Sequence, residues 1–236
     1  VDPETGEHYS LTQSAQGGFG ASEFILRKGG TMGDLYVKNR IARDANGNVA
    51  LDKNNNIQKE ELNLDPIKVG SVLPKSNLGF RNDFSYKGFQ LGFMIAARFG
   101  GIVMSPTQAI MDQYGVSKTS ADYRTQGGVP VNNGLYDTEK YYSVVGGQEG
   151  VLSEYVYSAT NVRLQEASFG YSFPAKWFNN KMNLSMSIVG RNLWMIYNKA
   201  PFDPELTAST GTYFQGVDYF MQPSLRNIGF NIKVQF

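Results

Sequence analysis

The sequence predicts an all-β protein in which long antiparallel strands cross a membrane as a segment of a β-barrel, joined by long external loops. Three observations carry that expectation. Several stretches alternate strictly between apolar and polar residues over nine or more positions, which gives a strand one apolar and one polar face. Short and long links between these stretches take turns along the chain. The composition is rich in Gly, Tyr and Phe (26, 14 and 15 residues) with only 18% charged residues, below the ~25% of an ordinary soluble domain.

Residues 1 to about 77 are polar, rich in Gly and Asn, and broken by turn dipeptides such as Asn46-Gly47 and Asp65-Pro66. They are expected to form an external loop region with one small hairpin turned at Asn46-Gly47. From Leu78 the texture changes. Leu78, Phe80, Phe84 and Tyr86 alternate with Gly79, Arg81, Asp83 and Ser85. After Lys87-Gly88 the pattern restarts with Phe89, Leu91, Phe93, Ile95, Ala97 and Phe99 against Gln90, Gly92, Met94, Ala96 and Arg98. The two form a hairpin with a two-residue link. The second strand, about eleven residues, exceeds the ~5–6 of globular sheets and matches the ~9–11 a membrane strand needs.

Residues of about 100–159 make a long connection that includes SPTQAIMDQYG, room for one short helix, and the Gly-rich QGGVPVNNG. A connection of that length is uncommon in a compact soluble domain, whereas outer-membrane barrels alternate short periplasmic turns with long external loops. The alternation returns in NVRLQEASFGYSF, slipping by one residue near Gln165-Glu166, where a bulge is expected. PAKWFNNK is a short link that places Trp177 where a membrane interface wants amphipathic aromatics. KMNLSMSIVGRNLWMI is the next strand, residues of about 197–223 the next long loop, and SLRNIGFNIKVQF the last strand. There Ile228, Phe230, Ile232, Val234 and Phe236 share one face and Gly229, Asn231, Lys233 and Gln235 the other. A soluble sandwich also wets one face of its sheets, but it has no need of an aromatic terminal residue, since termini usually fray. The expectation is five long strands within residues 78–236, too few to close a barrel alone when the smallest have eight.

Several function classes fall away. A formal net charge of +1 over 236 residues supplies no basic excess for a nucleic-acid partner. The absence of Cys and the single His8, solvated in GEHYS, leave no disulfide framework and no metal or cofactor site. The longest charge-free apolar run, Phe93 to Ala97, is far short of the ~18 residues of a membrane helix. VDPETGEHYS lacks the layout of a signal peptide, so any export address is expected on sequence outside this chain. No Ser-His-Asp arrangement is assembled by spacing, and no enzyme is predicted. Asp52, Asn54 and Asn56 open with the spacing of a calcium loop, but Ile57 stands where its Gly belongs and Asn63 where its bidentate Glu belongs.

NVRLQEASFGYSFPAKWFNN, GRNLWMIYNKAPFDPE and LRNIGFNIKVQF, with SNLGFRNDFSYKGFQLGFMIAARFGG, MDQYGVSKTSADYR and FILRKGGTMGDLYVKNRIARDANGN before them, resemble the carboxy-terminal region of SusC/RagA-type TonB-linked outer membrane transporters of Bacteroidetes. The resemblance covers essentially the whole chain. It implies a large barrel of about 22 strands with a plugged lumen, the plug and its TonB-contacting segment lying outside this sequence. It also implies a SusD-like surface lipoprotein as lid, an oligosaccharide or in some branches a peptide as cargo, outer-membrane lipid around the wall, and no cofactor. Phe230, Ile232, Val234 and Phe236 would form the signal read by the barrel assembly machinery.

Candidate sites follow with their plainer alternatives beside them. Arg191 stands in the lumen with Trp194 in the outer aromatic belt, or Arg191 is a structural ion pair and Trp194 sheet packing. Arg98 and Arg163 have the same two readings. Asp112, Tyr114 and Tyr123 touch substrate or lid, or are ordinary loop residues. APFDPE (Ala200 to Glu205) is a rigid turn. Two other functions remain open: a soluble β-sandwich that binds carbohydrate, separated by its independence of detergent, and a passive outer-membrane pore subunit, separated by conductance that persists without TonB.

Overall fold

The structure, a computed structural model, describes residues 11–14, 21–62, 65–206 and 215–235. They fall into two units. One draws on residues up to Leu73, Gly101–Ser158 and Glu205–Met221, and the other on Pro74–Gly100, Ala159–Pro204 and the residues from Gln222 onward.

In the first unit β1 (Leu11–Ser14), β2 (Ser22–Leu26), β3 (Asp34–Val37) and β6 (Ile67–Ser71) form one antiparallel sheet in the order β1-β2-β3-β6. Two further strands, β4 (Asn39–Ile41) and β5 (Lys59–Glu61), pair with each other. Between them, where the sequence predicts a single hairpin, two turns lie in succession. Asp44-Ala-Asn-Gly-Asn and Asp52-Lys-Asn-Asn-Asn are two copies of one turn: Asp44 Oδ1 accepts from the amides of Asn46 and Asn48, and Asp52 Oδ1 from those of Asn54 and Asn56. The copies stack, with the Ala50 amide donating to Ala42 and the Gln58 amide to Ala50. Gly47 and Asn55, at equivalent positions of the two copies, both take positive φ (83° and 62°), conformations that Gly and Asn tolerate best.

After the second sheet's hairpin the chain re-enters this unit through β9 (Ile102–Met104), then α1 (Pro106–Gln113), α2 (Lys118–Thr125), a small hairpin of β10 (Val129–Val131) and β11 (Gly134–Tyr136), α3 (Thr138–Val145) and β12 (Val156–Ser158). Three helices thus stand where the sequence suggested one. Each has eight residues, too short to persist alone in water, and each begins on a side-chain cap: Ser105, Ser117 and Asp137 accept from the amides of Gln108, Ser120 and Lys140. Burial of Leu35, Met104, Ala109, Val145, Val151, Leu152 and Val217 in one cluster holds them together.

The second unit is a five-stranded antiparallel meander: β7 (Ser76–Tyr86), β8 (Phe89–Phe99), β13 (Asn161–Ser172), β14 (Asn183–Asn198) and β15 (Asn227–Gln235), paired in chain order. Lys87 and Gly88 both have positive φ (47° and 90°), the conformation that lets a two-residue hairpin follow strand twist. A Cβ at Gly88 would lie 2.8 Å from the Ser172 carbonyl oxygen, so the position also needs the missing side chain. The expected bulge is present, the register shifting between Leu164 and Glu166 against both neighbours. Asn192, at φ 51°, is the matching irregularity on β14. Register places the long connections at one end of the sheet: Ser76 pairs with Phe99, and Asn161 with both Arg98 and Asn198. Among the described residues, no helix is long and apolar enough to cross a membrane.

Candidate functional site

Residues opposed across a strand pair share a face, so the register sorts the sheet into two surfaces. Phe84, Leu91, Phe169, Ile188 and Phe230 form one row across all five strands, and Tyr86, Phe89, Tyr171, Met186 and Ile232 the next. Most of these side chains are exposed, Phe84, Phe169, Ile188 and Phe230 by 54–63%, with Tyr171 and Met186 half-buried among them. An apolar patch of this extent is far beyond what soluble monomers leave in water, and it is the outer surface a membrane barrel turns to lipid. Phe230, Ile232 and Val234 all lie on it, while Phe236 lies outside the described residues.

Aromatic rings mark both ends of this face. At the tight-turn end Phe89, Tyr171, Phe173 and Trp177 make a chain of ring contacts at 4.6, 5.0 and 5.9 Å. At the other end Trp194 pairs in register with Leu164 and is 63% exposed. From Leu184, whose carbonyl takes the Phe173 amide, to Trp194 is ten residues, about 33 Å at ~3.3 Å each. With the ~35–45° tilt of barrel strands that becomes about 25 Å, the height of an outer-membrane apolar band.

The opposite surface is polar. Asp83, Gly92, Ser168, Val189 and Gly229 form one row and Arg81, Met94, Glu166, Arg191 and Asn227 the next. Glu166 sits between two arginines: Arg191 Nε donates to it at 3.0 Å and Arg81 approaches to 4.0 Å, while Arg81 also pairs with Asp83 at 2.9 Å. Arg191 and Trp194 therefore occupy opposite faces, and Arg191 is ion-paired. Arg98 lies on the polar face at the end from which the long connections leave, opposed to Asn77 and Asn161. Arg163, on that face too, is buried on Asp203 at 2.8 Å.

Asp112 and Tyr114, singled out by sequence in the long connection, line one cavity of about 360 Å3 together with Arg124, Thr138, Glu139 and Tyr142. The helices α1, α2 and α3 supply its walls. Tyr114 caps α1 and is 75% exposed. Asp112 is buried, accepting hydrogen bonds from the Ser117 hydroxyl and, at 3.0 Å, from Gln108 Nε2. Its burial pushes the carboxyl above the usual carboxylate range. The Tyr142 phenol is also pushed up by burial, with Asp112 nearby. Arg124 Nη2 donates to the Gly115 carbonyl at 2.8 Å, fixing the guanidinium at the rim. An open phenol ring beside convergent charged and hydroxyl groups is a surface that can hydrogen-bond and stack on a small polar ligand. Tyr123 does not line it. The contributions of Arg124, Thr138 and Glu139 were not legible beforehand, because a three-helix arrangement has no signal in a segment read as loop.

The chain is 25% identical over 175 residues to TonB-dependent receptor P3 of Formosa agariphila, covering 71% of this chain and 17% of the relative. It is 28% identical over 205 residues to TonB-dependent receptor P39 of the same organism, covering 83% and 18%. The chain thus spans less than a fifth of the length of the curated relatives it matches. No protein-family model matches it. Its structure is similar to part of the RagAB peptide importer in the closed-closed state (TM-score 0.54, 17% identity, 86% of this chain and 23% of that one) and in the open-open state (0.54, 15%, 95% and 27%). The chain is similar in sequence to TonB-dependent receptors and in fold to part of the RagAB importer, and it is a β-barrel segment of the bacterial outer membrane.

Proposed function

We propose that this chain supplies wall and external loops to a TonB-dependent transporter that imports a nutrient, an oligosaccharide, across the outer membrane. The sheet's sidedness carries the reading: one face is bare and apolar between two aromatic girdles, and the other bears the Arg81–Glu166–Arg191 row. The polar face lines the lumen, where charge is tolerated, and Arg98 and Arg191 are the lumen residues placed to meet cargo. The first unit is external, and its cavity offers Tyr114 and Asp112, with Arg124, to ligand or lid. A SusD-like surface lipoprotein closes over it, and TonB acts through a plug region outside this chain. The barrel assembly machinery engages the apolar face of β15, at Phe230, Ile232 and Val234. The chain performs no covalent chemistry.

A peptide is the second reading for the cargo, favoured by the peptide importer among the similar structures. Deleting the gene and following uptake of defined oligosaccharide and peptide mixtures, with and without TonB, separates the two. Loss of oligosaccharide uptake on deletion in cells that have TonB, with no further loss in cells that lack it, supports the proposal; the same pattern for peptide uptake substitutes the second reading; and unchanged uptake of both in cells that have TonB overturns the transport function.

A further inference from the structure

The apolar face has a notch. Its middle row runs Asn82, Phe93, Ala167, Gly190, Ile228, so β13 and β14 carry the smallest side chains there, between a row of Leu91, Phe169 and Ile188 on one side and Leu164 and Trp194 on the other. The irregularity at Asn192 folds Leu193 back over this row: a Cβ on Gly190 would meet its Cδ2 at 2.5 Å. The result is a groove of about 290 Å3, floored by Ala167 and Gly190 and walled by Leu91, Phe169, Ile188, Leu193 and Ile228. Ser168 also borders it, but its hydroxyl lies on the other face, within reach of a Cβ built on Gly92.

We propose that this groove is a seat for one lipid acyl chain, held more firmly than the surrounding lipid. The inference rests on the membrane placement above. Hydrocarbon tails are as apolar as Leu, so no hydrophobic transfer drives anything to this face, and contact area decides what stays. A flat face touches a chain on one side, whereas a groove touches it on three. Left unfilled, the groove forfeits dispersion contacts along its whole lining. A polar ligand finds no side-chain partner there, and the groove lies between the aromatic girdles, at the depth where acyl chains are the solvent. The bulge therefore has a use beyond re-registering the strands: it builds the Leu193 wall.

The test uses the protein purified from outer membranes and reconstituted in phosphatidylethanolamine and phosphatidylglycerol vesicles that contain a phosphatidylethanolamine with a diazirine in its acyl chain. After irradiation, peptide mapping compares label on Ala167, Leu193 and Ile228 with label on Phe84 and Phe230. Enrichment at the groove, lost in Ala167→Phe while label at Phe84 and Phe230 is unchanged, is the expected result. Uniform label over the face in both proteins overturns the seat and leaves the membrane placement standing. No label anywhere on the face overturns the membrane placement itself. Cross-links from the groove to a second copy of the chain, in place of lipid, overturn the choice of occupant. Ala167→Leu serves as a second filling variant where Ala167→Phe does not assemble.

Discussion

Arg163 on β13 donates from Nη2 to Asp203 Oδ1 at 2.8 Å, and both side chains are almost wholly buried, 6% and 9% exposed. Asp203 also accepts from the Ser224 hydroxyl, and Asn198 Nδ2 ties the carbonyls of Ala200 and Phe202. The turn APFDPE is therefore anchored to the sheet by the Asp203 carboxylate and by the Asn198 side chain. Asp203→Ala strands a buried guanidinium without that carboxylate and is expected to cost about 3–5 kcal/mol. Thermal unfolding of the detergent-solubilised protein checks it, and a shift no larger than that of a surface variant would sink the anchoring role.

The ion pairs of Glu166 are of another kind. Arg81 and Arg191 are more than half exposed, and exposed pairs contribute about 0–1 kcal/mol. Glu166→Gln should leave the unfolding temperature nearly unchanged while altering the ion selectivity of any conductance through the assembled protein. Planar-bilayer recordings read that, and a large loss of stability instead would mean the row is structural.

Phe230 and Asn231 are neighbours on β15 that face opposite sides of the sheet. An arginine on the lipid face costs about 2–4 kcal/mol near the bilayer midplane, whereas the lumen face tolerates charge. Phe230→Arg is expected to lower the folded fraction in outer membranes markedly and Asn231→Arg to leave it near wild type. Heat-modifiable migration on gels separates folded from unfolded protein, and equal effects of the two would contradict the assigned sidedness.

Asp112 has its pKa raised by burial above that of the unfolded chain. Raising a carboxyl pKa on folding means that the folded state binds the proton more tightly. Its contribution is thus fully present below the unfolded value and is lost as pH rises through the folded one. Amide exchange around α1 and α2, corrected for intrinsic rate, should show protection falling as pH rises above the ordinary carboxylate range. Asp112→Asn, which keeps an acceptor for Ser117 and Gln108, should flatten that dependence. An unchanged profile in the variant would place the titration elsewhere.

The sequence by itself determined the second unit almost completely. Strands buried in lipid on one side and wet on the other write a period of two that no loop imitates, so the five strands, their two faces, the Lys87-Gly88 turn and the Gln165 bulge were legible from Leu78 onward. The arginines were legible only as residues of the polar face. That Arg191 meets Glu166 while Arg163 is buried on Asp203 was decided by cross-strand register and by a turn returning from beyond β14, relations that alternation does not encode. The first unit was read as loop because its helices are eight residues long and its strands three to five, too short for either period to establish itself. Their stability comes from segments far apart in the chain, Leu35, Met104, Val145, Val151 and Val217 meeting in one cluster, and only tertiary structure brings those together. The Asp44 and Asp52 repeat was an available signal at an interval of eight residues. The lipid-face groove was not, since it exists only where Ala167, Gly190 and Leu193 are brought side by side by two strands and a bulge.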